Sequence, residues 1–270
     1  MLIAEDITLS FGGVKALSGV SVHAEAGKIT AIIGPNGAGK TSLFNVISGF
    51  YAPQRGKVIL DGEDISGLTP SKRAYRGMSR TFQNIALFHG MTVLDNIKLG
   101  AHTKLKTGVF SAGFRFPLTR REEADLDLDI EREIVGMLEL DHVQHKAVED
   151  LAYGVQKRVE LARALVMRPK ILMLDEPVAG MNHEEKREMG RFVLDVCKNW
   201  GTTVLLIEHD MSMVMGLSDH IVVLSFGKPI AHGTPNHVSR DQHVIDAYLG
   251  TGDGAGEQDD EANSDAMARG

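Results

Sequence analysis

Apolar and polar residues alternate along the first stretch of the chain, MLIAEDITLSF, and again after a glycine pair. Residues 2–10 and 15–24 therefore predict two strands joined by a turn at Gly12-Gly13. Gly27-Lys28 leads into the unbroken apolar run Ile29–Ile33, the mark of a strand covered on both faces. Thr41–Ser48 predicts a helix directly after it, 56–61 another short strand, and Asp61-Gly62 a hairpin turn.

From about residue 84 to 165 the period changes. Thr92–Gly100 predicts a helix with Thr92 as its N-cap and Asp95 in its first turn. Residues 103–119 carry no clear period and predict an irregular insertion. Apolar residues at 126, 130, 134, 137, 138 and 140 predict a helix over 122–140, and a second amphipathic helix follows over 153–167. Strand and helix patterns then alternate again: 171–174, 184–199, 203–207, 210–217 and 220–225, with a turn at Phe226-Gly227-Lys228. Such alternation predicts an α/β fold, a parallel or mixed sheet with helices on its faces. The helical block between two of its strands predicts an inserted α-helical subdomain over about 84–165. The core then comprises about 1–83 and 166–250.

Composition sharpens this picture at two places. The net charge of −7 argues against nucleic acid as a partner, and much of it is local. Asp253, Glu257, Asp259, Asp260, Glu261 and Asp265 stand against Arg269 alone, in a segment free of aromatics. Residues 251–270 are therefore expected to be a disordered acidic tail. With Cys197 as the only cysteine, no internal disulfide forms, which fits a reducing compartment. No basic start precedes an apolar block at the N-terminus, and no apolar run approaches the ~18 residues of a membrane span. A membrane role would run from the cytoplasmic face, through partners.

The strongest chemical signal is Gly34-Pro35-Asn36-Gly37-Ala38-Gly39-Lys40-Thr41, with Ser42 beyond it. It has the G-x-x-x-x-G-K-[ST] spacing and lies between a buried strand and a helix. Its glycines let backbone amides turn inward around phosphate oxygens, and the helix start adds its positive end. Lys40 is suited to reach β- and γ-phosphates, and the Thr41 hydroxyl to ligate Mg²⁺. ATP and Mg²⁺ are the expected ligands of a P-loop NTPase core.

A second signal is Ile171-Leu-Met-Leu174-Asp175-Glu176-Pro177, an apolar strand ending in two carboxylates. Ligands of open α/β sheets sit beyond the carboxyl ends of strands. Asp175 is thus placed to hold Mg²⁺ directly or through water, and Glu176 to orient an attacking water. The pair His142-x-x-His145 lacks further ligands and reads as a surface loop.

With these motifs in hand, the chain resembles the ABC ATPases. The segment Leu151-Ala-Tyr-Gly154-Val-Gln through Leu165 looks like the family's signature helix, ten residues before Asp175. Gln83 in Arg80-Thr-Phe-Gln-Asn84 resembles the Q-loop glutamine, which the family uses in catalysis and at the metal. His209 in Leu206-Ile-Glu-His-Asp210 resembles the switch histidine, and Phe11 the aromatic that stacks on adenine. Ala179-Gly-Met-Asn182 sits where the D-loop sits.

The likeness runs from about residue 2 to 249 and implies an N-terminal antiparallel β subdomain. RTFQNIALF, LIEHDM and VIDAYLG, with the 103–119 insertion, are similar to one branch, the ATP-binding subunits of branched-chain amino-acid, urea and amide importers. The resemblance implies two such subunits, identical or different, sandwiching ATP between one subunit's phosphate loop and the other's Tyr153-Gly154. It further implies two membrane permeases, a periplasmic solute-binding protein acting indirectly, and a position on the inner face of the cell membrane. The signature departs from Leu-Ser-Gly-Gly-Gln: Ala152 replaces the serine, Tyr153 the first glycine and Val155 the glutamine. A lost hydrogen bond to a charged group costs roughly 1.5–3 kcal/mol, so unequal ATP sites in a heteromeric pair are one expectation. An ABC-type ATPase serving export or no transport at all is the alternative. A GTPase is disfavoured because no Asn-Lys-x-Asp sequence is present.

Overall fold

Two sheets organise the chain, and each strand's side-chain alternation decides what lies on its faces. A computed structural model describes residues 1–82, 85–101 and 130–249. The 103–119 insertion, Gln83 and the acidic tail lie outside the described residues.

The first sheet has the order β2-β1-β4-β5. Strand β1 (Leu2–Phe11) turns at Gly12-Gly13 into antiparallel β2 (Val14–Ala24), and β4 (Arg55–Leu60) pairs with the other edge of β1. The turn from β4 into β5 (Glu63–Asp64) uses Asp61 and Gly62, both left-handed at φ 49° and 86°, as a tight hairpin requires.

The second sheet has six strands in the order β10-β9-β3-β8-β7-β6. Strands β3 (Ile29–Ile33), β6 (Met78–Arg80), β7 (Ile171–Asp175), β8 (Thr203–Ile207) and β9 (His220–Ser225) run parallel, and β10 (Lys228–Gly233) returns antiparallel to β9. The sheet is therefore mixed, as the pattern predicts.

Strands β3, β7 and β8 are buried throughout because both faces are covered. Ile171, Met173, Leu205 and Ile207 face helix α1 (Lys40–Ser48) and the first sheet, where Leu43, Phe44 and Ile47 meet Ile7, Leu9 and Leu17. The alternate residues Leu172, Leu174, Val204 and Leu206 join a core with helices α3 (Val93–Leu99), α4 (Tyr153–Leu165) and α5 (His183–Trp200).

Short helix α2 (Pro70–Tyr75) supplies Arg73, 1% exposed, whose guanidinium donates to the carbonyls of Val46, Ile47, Leu68 and Ser66. It thereby satisfies carbonyls at the end of α1, and burial pulls its pKa down to about 10.

Two expectations need correction. Over the described part of 122–140 the backbone is a π-helix at Ile130–Val135, and the coil stops where Glu139 turns left-handed at φ 55°. The predicted helix is thus present over residues 130–137, in π form over its first part, and residues 122–129 lie outside the described residues. Helix α4 ends at Leu165, short of Met167. Helix α6 (Met211–Leu217) follows β8, and α7 (Pro235–Val238) and α8 (Gln242–Leu249) close the described chain. No helix among the described residues is long and apolar enough to cross a membrane.

Candidate functional site

Strands β3, β8 and β7 are neighbours and parallel, so the segments leaving their carboxyl ends come side by side. These segments hold Gly34–Ser42, Glu208–Asp210 and Asp175–Pro177.

The first loop wraps its own lysine. Lys40 Nζ donates to the carbonyls of Gly34 (2.7 Å) and Pro35 (3.0 Å), and the residue is 8% exposed. Burial pushes the Lys40 ammonium pKa down, while the carboxylates of Glu176 and then Asp175 pull it back up. Both acids thus lie within electrostatic reach of the loop. At Gly34 a Cβ would stand 2.1 Å from the Leu224 carbonyl oxygen, so only glycine lets the loop press against β9. Asn36, Gly37 and Thr41 face outward. Helix α1 begins after Gly39 with no side-chain cap, so no side chain competes for its first amides. A buried cation, a glycine loop and an uncapped helix start together make an anion site.

Asp175 ends β7 and is 3% exposed, its Oδ2 accepting from Arg80 Nη2 at 2.8 Å. Glu176 follows in the left-handed region at φ 49°, with its amide donating to Ile207 O at 2.9 Å. Its Oε1 is 3.9 Å from Nδ1 of His209, whose side chain is 63% exposed. Among the described residues no group of three or more His, Cys, Asp or Glu could hold a metal. Magnesium takes few protein oxygens and completes its shell with phosphate and water, so one carboxylate and one hydroxyl are enough donors for it. Asp175, at the end of β7, and Thr41, which follows Lys40, are donors of that chemical type.

Phe11 is exposed and its ring meets Tyr51 edge-to-face at 5.1 Å. Tyr153 and Gly154 open α4, and their neighbours belong to the segment after β7. A Cβ on Gly180 would lie 3.1 Å from the Tyr153 ring, and one on Gly154 would lie 2.3 Å from Glu185 Oε1. The preceding Ala152 carries only a methyl group, which has no acceptor to cap the helix. Asn182, by contrast, caps α5 in a full capping box with Glu185. Sequence reasoning assigned no role to Arg80 or Glu208, although both lie inside segments it singled out. The available signal was a charged residue adjoining an apolar strand.

Between β6, α3 and α4 lies a cleft of about 570 Å³ lined by Phe82, Phe88, Leu99, Glu160 and Arg163 among others.

The profile of the ABC transporter family matches residues 17–179, and that of the branched-chain amino acid ATP-binding cassette transporter matches 228–254. The chain is 42% identical over 250 residues to the high-affinity branched-chain amino acid transport ATP-binding protein BraF of Pseudomonas aeruginosa, covering 93% of this chain and 98% of that protein. It is 42% identical over 255 residues to LivG of Escherichia coli, with the same coverage of 93% and 98%. Among solved structures, the ADP conformation of an ATP-binding cassette from an ABC transporter superposes with a TM-score of 0.80 at 34% identity, covering 93% of this chain and 98% of that one.

Proposed function

The chain belongs to the ABC transporter family of ATPases, and from that premise we propose that it powers an importer of branched-chain amino acids. The observation that carries the site assignment is the enclosed Lys40 ammonium in the field of Glu176 and Asp175, with His209 beside Glu176.

In this reading Gly34–Thr41 and Ser42 cradle the ATP phosphates, Lys40 meets the β- and γ-phosphates, and Phe11 stacks on adenine. Thr41 and Asp175, with Gln83, would hold magnesium, which supplies neutralisation of phosphate charge. Glu176 orients and deprotonates the attacking water, and His209 donates to the γ-phosphate. Tyr153 and Gly154, at an N-terminus without a side-chain cap, offer backbone amides to the γ-phosphate held by a second subunit. ATP then joins two subunits head to tail, and hydrolysis parts them. The cleft beside Phe82 and Phe88 is suited to grip a loop of a membrane subunit, which would hold the chain on the inner face of the membrane. The substrate class rests on the names of BraF and LivG and on the match over 228–254.

Phosphate release from ATP by the purified chain tests the assignment. Glu176→Gln is expected to bind ATP without turnover, and Lys40→Ala to lose binding as well. A parent chain with no affinity for ATP in the presence of magnesium overturns it. Leucine-stimulated turnover in vesicles carrying the permeases and binding protein tests the substrate, and stimulation by urea or amides alone would reject it.

A further inference from the structure

Strand β8 is apolar from Val204 to Ile207, yet the next residue, Glu208, is a carboxylate whose side chain is fully buried. An ionised carboxylate in such a place costs several kcal/mol unless it is paired or hydrogen-bonded. The cation of Lys186 bonds Asp210 instead, at 2.8 Å. Backbone amides meet the need. Glu208 Oε1 accepts from Val178 N at 3.2 Å, and Oε2 accepts from His209 N at 3.0 Å and Asp210 N at 3.1 Å.

The two oxygens serve different loops. Val178 lies two residues beyond Glu176 in the segment leaving β7, and His209 and Asp210 lie in the segment leaving β8. Glu208 thus closes a bridge between the loop of the proposed catalytic carboxylate and the loop of the proposed switch histidine. Apart from it, the Glu176 amide to Ile207 carbonyl bond links the same two strand ends.

We propose that Glu208 is a positioning residue for ATP hydrolysis, setting His209 against Glu176 through amide bonds to both loops. Its side chain is fully buried and reaches the site through those two loops, with Oε2 also 4.0 Å from Nδ1 of His209, and the proposal rests on the assignment of Glu176 and His209 made above. The role needs a carboxylate. Glutamine presents one acceptor oxygen and one NH₂ donor, so whichever loop meets the NH₂ faces donor against donor. The 3.9 Å relation between Glu176 and His209 would then loosen, leaving the phosphate loop untouched.

The test compares Glu208→Gln and Glu208→Ala with the parent in ATP turnover, equilibrium MgATP binding and amide hydrogen exchange. Glu208→Gln, the isostere, decides the matter if the alanine variant fails to fold. Misplacing reacting groups by about 1 Å costs on the order of 10²-fold in rate, and a drop in kcat of that size is expected, with ATP affinity within about twofold of the parent. Exchange at Val178, His209 and Asp210 should quicken while β3 and α1 keep their protection. The proposal is overturned if kcat stays within about threefold of the parent, or if turnover and ATP affinity fall together with protection lost throughout. An inactive parent chain would instead refute the ATPase assignment itself.

Discussion

Arg80 bonds Asp175 through Nη2 and Oδ2 at 2.8 Å, with both side chains less than a tenth exposed. Its Nη1 donates to Asn45 Oδ1 at 2.7 Å and Ser48 Oγ at 2.9 Å, and the rings of Phe44, Phe50 and Phe82 surround its guanidinium. One arginine on β6 therefore ties the end of β7 to the helix that follows the phosphate loop. Asp175 has a resident counter-charge before any nucleotide or metal arrives.

Removing one partner of a buried ion pair leaves an uncompensated charge, which costs about 3–5 kcal/mol. Arg80→Met should lower unfolding stability by an amount in that range, read from urea denaturation. Adding Asp175→Asn removes the stranded carboxylate, so the double variant should be less destabilised than the two single losses added together. Strict additivity would show that the pair carries no mutual energy.

Gly154 meets Glu185 where α4 starts beside α5. A Cβ there would collide with Glu185 Oε1 at 2.3 Å, and Glu185 Oε2 already accepts the Asn182 amide of the capping box. Gly154→Ala should displace that carboxylate and cost about 1 kcal/mol, the usual worth of a cap interaction. Glu185→Ala should cost a similar amount, and the double variant no more than either alone. Thermal unfolding of the three variants checks this.

How much of this was legible in the sequence depended on whether a feature was local. The glycine-rich loop from β3 into α1 and the carboxyl end of β7 were readable because each is carried by a few adjacent residues. The Thr92 cap was readable too, and its Oγ1 accepts from the Asp95 amide at 3.1 Å. Strand β6 was missed because three residues carry no period, and its place is decided by pairing with β7, some ninety residues away. The turn at Phe226-Gly227 was legible, but strand β10 beyond it was not, because Lys228–Gly233 is mostly exposed and holds a proline and a terminal glycine in place of an apolar alternation. Arg80 and Glu208 belong to quoted motifs, but their partners come from other strands. A motif gives residue types and cannot say which oxygen meets which amide.

Acid should weaken the α5–α6 contact by a defined route. The Lys186 hydrogen bond, followed by the Met213 amide, holds the Asp210 carboxyl below its ordinary value of 3.8. A lowered folded value means that this stabilisation is present above the unfolded pKa and is lost as pH falls through the folded one. Asp210→Asn keeps the cap acceptor for α6 and removes the charge. The gap in urea midpoint between parent and variant should be widest near neutral pH, narrow below about pH 4 and close at lower pH. The pair is partly exposed, so the gap should stay under about 1 kcal/mol. A gap independent of pH would detach it from Asp210.

Ala152 offers the last test, because it separates helix stability from function at the same residue. Its backbone is already extended, at φ −57° and ψ 149°, and it makes no side-chain cap for α4. Serine in that geometry can accept an amide from the first turn without moving the chain, and such a cap is worth about 0.5–2 kcal/mol. Ala152→Ser should therefore raise the unfolding midpoint of the isolated chain. If α4 also faces a partner's γ-phosphate, the new hydroxyl has a second use. ATP-induced dimerisation of a Glu176→Gln chain, followed by light scattering, should then strengthen with Ala152→Ser. The two effects compete for one hydroxyl. Greater stability with unchanged dimerisation would mean that the hydroxyl serves only its own helix, and that Tyr153-Gly154 amides alone meet the nucleotide.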